Sequence, residues 1–260
     1  LDPRPSTLRP PVQTDPYSAL AAGYDVVMAH VDYDDWAAYV EDLIQAHAPH
    51  AEAVLELGCG TGSLAFALQP YGLYRFLATD GASAMVRVAQ AKRPLHPEAH
   101  VRFRVADFAA LDPIALGAPF DVVLLLYDGL NYLLDEADVA RLFADVARLL
   151  AEDGVFVVDQ STPANSLNNA DYFHDEGEAD EFAYVRTSAY DAEARLHTNA
   201  FRLTVQGEVY EESHVQRAFT LAEMRALISA SPLREVAAYD GFSVDPAAGE
   251  TERIHWVLKR

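Results

Sequence analysis

Glu56, Gly58, Gly60 and Gly62 lie in the run Val54-Leu55-Glu56-Leu57-Gly58-Cys59-Gly60-Thr61-Gly62, an acid set just ahead of a triple-glycine turn. Ala53–Leu57 reads as a short buried strand and Ser63–Leu68 as the start of a helix, so the turn falls at the carboxyl end of a strand. Glycines there let the chain turn tightly and let a ligand touch backbone. A dinucleotide fingerprint wants a third glycine where Ser63 stands, with a pyrophosphate resting on the helix N-terminus. Here Gly62 comes one position early, and the Glu56 carboxylate would repel a pyrophosphate. It would favour a cationic ligand, directly or through water.

S-adenosylmethionine (SAM) is such a ligand, carrying an ammonium and a sulfonium and no phosphate. The strands that follow close on Asp80, on Asp107 and on Tyr127-Asp128. In an open α/β sheet these ends face one crevice, where ligands sit. Asp at one strand end is ordinary, because Asp favours turns; three acids behind a glycine turn are less ordinary. Glu56–Gly62 resembles motif I of the class I SAM-dependent methyltransferases. Tyr24-Asp25 with Met28, His30, Asp32-Tyr33 and Trp36 resembles the N-terminal signature of a bacterial subgroup, the YqeM-like methyltransferases. Asp128-Gly129-Leu130-Asn131-Tyr132-Leu133 and the run His214–Leu221 resemble that subgroup too, so the likeness covers about residues 17 to 258.

Chemistry and resemblance together imply roles for these residues, with SAM as cofactor. Gly58, Gly60 and Gly62 let the loop approach the methionine and ribose portions. Asp80, followed by Gly81, accepts from both ribose hydroxyls, or else caps the next helix. Met85 packs on the adenine face, or simply fills core. Asp107 accepts from the adenine amine while Phe108 offers its backbone N–H, or Asp107 is a plain turn residue. Tyr127 borders the methionine portion or covers the sheet edge. The hydroxyl of Tyr24 or Tyr33 can meet the SAM carboxylate, and an aromatic face the sulfonium; Trp36 can equally staple the segment to the core. Cys59 lies inside the turn without the partner motif of a nucleophile. His96 and His100 are separated by Pro97, which spoils a helical metal pair, and no metal site is expected.

The elements that must position these groups follow from the apolar pattern. Tyr17–Ala48 reads as helical, with Trp36, Val40, Leu43 and Ile44 on one face, ended by Pro49. Strands are expected at Ala53–Leu57, 73–79, Val101–Ala106, Phe120–Leu126 and Gly154–Asp159. Helices are expected at Ser83–Lys92 and from Asp135, as cap, to Leu150. Alternating strands and helices predict a parallel sheet covered on both sides. The polar stretch 165–180 reads as a solvated loop. Phe182–Tyr190, Leu196–Gln206 and Val209–Phe219 then read as three antiparallel strands, and Thr220 with Glu223 as a capping box. Leu233–Tyr239 and Arg253–Leu258 finish the sheet. The fold class is α/β, a doubly wound Rossmann-like sheet with an antiparallel β insertion; the resemblance implies strand order 3-2-1-4-5-7-6. The parts are then a mobile tail (1–16), a helical cap (17–50), a SAM-binding Rossmann-like domain (51–162 and 220–260) and a β-rich lid (163–219).

The 260 residues carry a net charge of −21, and lysine occurs only at Lys92 and Lys259. A nucleic-acid binder shows a basic stripe, and an anionic membrane surface repels such a chain; neither is expected as a partner. One cysteine excludes an internal disulfide and fits a reducing, cytoplasmic compartment. The tail, rich in proline, reads as neither signal peptide nor helix. The reading is an in-line methyl transfer to a small-molecule or protein side-chain acceptor, in which alignment supplies much of the catalysis. A non-enzymatic SAM-binding or interaction protein and an NAD-dependent oxidoreductase are the alternatives. The insertion should roof the acceptor. Alternation puts Tyr210 and His214 on one face of its last strand, opposite Val209, Val215 and Phe219, and Tyr184, Arg186 and Tyr190 on one face of its first. His214 is the candidate for acceptor contact or proton removal, Arg217 for an acidic substrate group, and Tyr127 borders the reaction.

Overall fold

The computed structural model describes residues 10–72 and 74–260. The chain opens with a two-residue strand, β1 (Val12–Gln13), a tight helical turn at Leu20–Gly23, and helices α1 (Tyr24–Val27) and α2 (Tyr33–His47). Asp32 caps α2 by accepting the N–H groups of Asp34 and Asp35. The alternation follows: β2 (Ala53–Leu57), α3 (Ser63–Ala67), β3 (Arg75–Asp80), α4 (Ser83–Lys92), β4 (Val101–Val105), α5 (Pro113–Leu116), β5 (Phe120–Leu125), α6 (Glu136–Leu149) and β6 (Leu150–Ser161). Next come α7 (Pro163–Asn168), β7 (His174–Ala179), β8 (Phe182–Asp191), β9 (Leu196–Val205), β10 (Glu208–Arg217), α8 (Leu221–Ser229), β11 (Arg234–Asp240) and β12 (Arg253–Lys259).

Val54, Leu55, Leu57 and Val122–Leu125 are fully buried, which is why β2 and β5 take the centre of a seven-stranded sheet. Its order in space is β4-β3-β2-β5-β6-β12-β11. Counted from Ala53, that is 3-2-1-4-5-7-6, with β12 antiparallel to both neighbours. One face packs on α6 through Val139, Leu142, Phe143, Val146 and Leu149; the other packs on α2 through Trp36, Val40, Leu43 and Ile44. The order reverses between β2 and β5, so the crevice opens above their carboxyl ends.

Four expectations need correcting. Residues 12–13 belong to the stretch read as a mobile tail, yet they pair with Tyr210 and Glu211 of β10; residues 1–9 lie outside the described part. The stretch read as a solvated loop holds α7 and β7, and β7 pairs with β8 from His174↔Thr187 to Ala179↔Phe182. The insertion therefore supplies four strands rather than three, β7 to β10, and β1 from the N-terminal segment completes a five-stranded sheet, β1-β10-β9-β8-β7. Asp135 occupies the N-cap position of α6 but its side chain bonds no helix N–H. Residue 73, the expected start of β3, lies outside the described residues. The capping box at Thr220 and Glu223 is present with both reciprocal bonds. Leu20, Val27 and Met28 pack against Phe182, Tyr184, Phe201 and Leu203, which joins the N-terminal segment to the insertion sheet. Among the described residues no helix is long and apolar enough to cross a membrane.

Candidate functional site

The glycine turn is shaped by positive φ at Gly58, Gly60 and Gly62. At Gly62 (φ +79°) a Cβ would lie 2.7 Å from the Phe103 ring, so both conformation and space call for glycine. Asp80 holds the turn from the neighbouring strand: its Oδ2 accepts the Gly60 N–H at 2.9 Å and its Oδ1 the Ala82 N–H at 2.8 Å. From the other side, Asp25 of α1 accepts the Thr61 hydroxyl at 2.6 Å, and Lys92 lies 2.6 Å from Asp25. Lys92 also donates to Thr61 and Ser63, so one cation fastens the N-terminal segment to the loop.

Glu56 is 4% exposed and its Oε2 has no hydrogen-bond partner. Burial, then the charge of Asp80, pushes its pKa up to about 8, so the acid holds a proton at neutral pH. It borders a small cavity of about 40 Å³ with Tyr24, Tyr33, Trp36, Gly58 and Cys59. That space suits a group the size of water or ammonium. Burial likewise raises the Cys59 thiol well above its usual range, which leaves it neutral and unreactive.

A second cavity, about 510 Å³, lies over the turn; Gly58, Gly60, Asp80, Gly81, Met85 and Phe108 form its floor, and Tyr17, Tyr24, Tyr127 and Tyr132 part of its wall. The same four tyrosines border a third and larger cavity of about 810 Å³ under the insertion sheet. Its far wall carries Asn165, Asn169, Arg186, His197, Asn199 and Gln216. Tyr127 and Asp128 both hold positive φ, +61° and +64°, an arrangement costing on the order of 1–3 kcal/mol per residue. Half-buried Arg253 stabilises it. Its guanidinium pairs with Asp128 at 2.8 Å and with Asp159, and lies over the Tyr127 and Trp36 rings at 5.3 and 5.5 Å. Asp159 also accepts the Asp128 N–H.

Residues 54–154 match the profile described as a methyltransferase domain. The chain is 29% identical to the YqeM protein of Bacillus subtilis (strain 168), named as a methyltransferase, over 94% of this chain and 97% of that one. It is 32% identical to the dTDP-4-amino-2,3,4,6-tetradeoxy-D-glucose N,N-dimethyltransferase of Saccharopolyspora spinosa, over 48% of each. A SAM-dependent methyltransferase from Clostridium acetobutylicum ATCC 824 has the same fold, with a TM-score of 0.76, 22% identity, and coverage of 92% of this chain and 96% of that one. The chain carries a methyltransferase domain.

The residues expected from the sequence of this methyltransferase domain do not all meet in one place. Tyr24, Glu56, Gly58, Gly60, Asp80, Gly81, Met85, Phe108 and Tyr127 meet around the two cavities at the turn, with Tyr33, Trp36 and Cys59 at the smaller one. Asp107 does not join them: its exposed carboxylate accepts the Ala109 N–H at 2.8 Å, the plain turn role. Arg217 is a correction too. β10 pairs with β9 without a bulge, so residue 217 shares the face of Val215, away from the large cavity. There Arg217 pairs with Glu136 at 3.0 Å and Glu223 at 3.5 Å and covers the Phe219 ring. His214 borders the large cavity but is only 1% exposed, screened by Tyr17, Tyr132 and Phe201. Sequence reasoning missed Tyr17, Tyr132, Glu212 and Arg253. Glu212 had one available signal, since it lies two residues from His214 on the same strand face.

Proposed function

We propose that the methyltransferase moves a methyl group from SAM, held over the glycine turn, to a polar small molecule held in the 810 Å³ cavity under the insertion sheet. The supporting observation is that this cavity and the 510 Å³ cavity over the turn share the walls Tyr17, Tyr24, Tyr127 and Tyr132. A donor on one side and an acceptor on the other meet across those rings. SAM supplies a methyl carbon on a sulfonium, which leaves as a neutral thioether. The residues present fit it. Gly58 and Gly60 allow close approach, Asp80 faces the place for ribose hydroxyls, and the unpartnered Glu56 Oε2 suits its ammonium. Met85 and Phe108 give an apolar seat for the adenine. The four insertion strands with α7 are the acceptor lid in this reading.

The acceptor cavity is of ligand size and rich in amide and hydroxyl groups, which suits a hydroxylated molecule bearing an amine. The name of the Saccharopolyspora relative gives an amino sugar nucleotide as its substrate, and the same class fits here. The net charge of −21 works against a nucleic-acid acceptor. The test is label tracing: purified protein and methyl-labelled SAM are mixed with a bacterial extract separated into low-mass, protein and nucleic-acid fractions. Label should enter the low-mass fraction, on nitrogen. Label recovered in protein or RNA instead would overturn the reading.

A further inference from the structure

We propose that a hydrogen-bonded series, Tyr17–Tyr132–His214–Glu212, takes up the proton that the acceptor loses, with the tyrosine hydroxyls meeting the acceptor and His214 Nδ1 as terminus. It rests on the methyltransferase reading above. The Tyr17 and Tyr132 hydroxyls are hydrogen-bonded to each other, and both residues border both large cavities. The Tyr132 hydroxyl lies 3.0 Å from His214 Nδ1, and His214 Nε2 lies 3.1 Å from Glu212 Oε2.

Glu212 sets the direction of the series. It is 2% exposed, and it accepts the N–H groups of Tyr17, Ala19 and Leu20 at 2.8, 2.6 and 3.0 Å. Burial opposes its charge, but the bonds from His214, Leu20 and Ala19 outweigh burial and hold its pKa below the usual value. An ionised carboxylate only accepts, so Nε2 carries the imidazole proton and Nδ1 presents a lone pair. Tyr132 must then donate to Nδ1, and Tyr17 must donate to Tyr132. The Tyr17 oxygen is left with a lone pair for an acceptor N–H or O–H. Burial raises both phenols far above their usual range, so the tyrosines pass protons along without becoming phenolates.

The balance is complete. The acceptor nitrogen forms a bond to the methyl carbon as the carbon–sulfur bond breaks with its electron pair left on sulfur. The acceptor proton moves to the Tyr17 oxygen, the Tyr17 proton to Tyr132, and the Tyr132 proton to Nδ1. The resulting imidazolium is paired with the Glu212 carboxylate, and the proton returns to solvent through the emptied cavity. The groups packed on His214 are Glu212 on its own strand, Tyr17 from the N-terminal segment, Tyr132 from the turn after β5 and Phe201 from β9. The nearest further charges acting on both tyrosines are Asp80 and Asp128.

The test uses the full chain with ¹⁵N-labelled histidine, and long-range proton–nitrogen correlation assigns each ring tautomer. His214→Gln identifies the His214 signals. The expected result is the Nε2–H tautomer. Tyr132→Phe should shift the Nδ1 resonance while leaving Nε2–H in place, and Glu212→Gln should release the tautomer. An Nδ1–H tautomer in the wild type, or an unmoved Nδ1 resonance in Tyr132→Phe, overturns the relay. If Glu212→Gln fails to fold, the other two measurements still decide. Once label tracing has supplied the acceptor, Tyr17→Phe should lower kcat about 100-fold near neutral pH, with the loss shrinking in alkali. A loss independent of pH would mark Tyr17 as a packing group. Calorimetry with SAM on the wild type tests the methyltransferase reading separately, because the tautomer is read without SAM.

Discussion

Glu56 shows how a single side chain ties ligand binding to pH. Its pKa of about 8 in the folded chain stands against an ordinary value of 4.5. Between these the folded state holds a proton that the unfolded state has released. Its contribution to stability is therefore full below about 4.5 and is lost as pH rises through 8. An ammonium bound beside it reverses the preference. We expect SAM binding at pH 7 to release about one proton, seen as a calorimetric enthalpy that varies with the ionisation enthalpy of the buffer. In Glu56→Gln that variation should vanish and binding weaken by about 1.5–3 kcal/mol. A wild-type enthalpy indifferent to buffer would place the ammonium elsewhere. Glu56, Gly58 and Asp80 are legible in the sequence because their work is local to strand ends. Glu212 is not, since the N–H groups that define it come from residues about 195 positions away. Asp107 stays open between two roles for the opposite reason: spacing alone cannot separate a ligand carboxylate from one that closes its own turn.

Among the elements, strands with one buried face were readable and the others were not. β8 to β10 alternate because their alternate residues pack on Leu20, Val27 and Met28. β7 reads His-Asp-Glu-Gly-Glu-Ala and lies mostly exposed at the sheet edge, so no apolar alternation marks it. β1 is two residues long and is made a strand only by its partner β10. Its holding bonds are few: the Thr14 N–H donates to Glu211 O at 3.0 Å and the Thr14 hydroxyl to Glu212 at 3.2 Å. Yet Asp15, Pro16, Tyr17 and Ser18, directly after it, wall the cavity over the glycine turn. Thr14→Pro removes both donors and should raise the dissociation rate of the demethylated cofactor about tenfold, by the worth of two ordinary hydrogen bonds. Stopped-flow release at the wild-type rate would show that the segment takes no part in exchange.

For the molecule as a whole, a net charge of −21 makes the compact state repel itself. Adding salt to about 0.15 M shortens the reach of that repulsion to roughly 8 Å, so the unfolding temperature should rise from its low-salt value. A falling temperature would mean that attractive pairs such as Lys92–Asp25 outweigh the general repulsion. The parallel sheet was legible because each crossover leaves a strand, a helix and a strand in series, whereas the order of its strands was implied by the family resemblance. The joining of insertion, N-terminal segment and sheet was not legible, because it depends on contacts between distant parts of the chain. Arg253 is the extreme instance. It braces Asp128, a residue 125 positions earlier, together with the ring of Tyr127. During synthesis on a ribosome, the two left-handed residues above β5 therefore emerge long before the cation that steadies them. The growing chain can complete its glycine turn early, but the wall shared by the two large cavities must wait until Arg253 has been made.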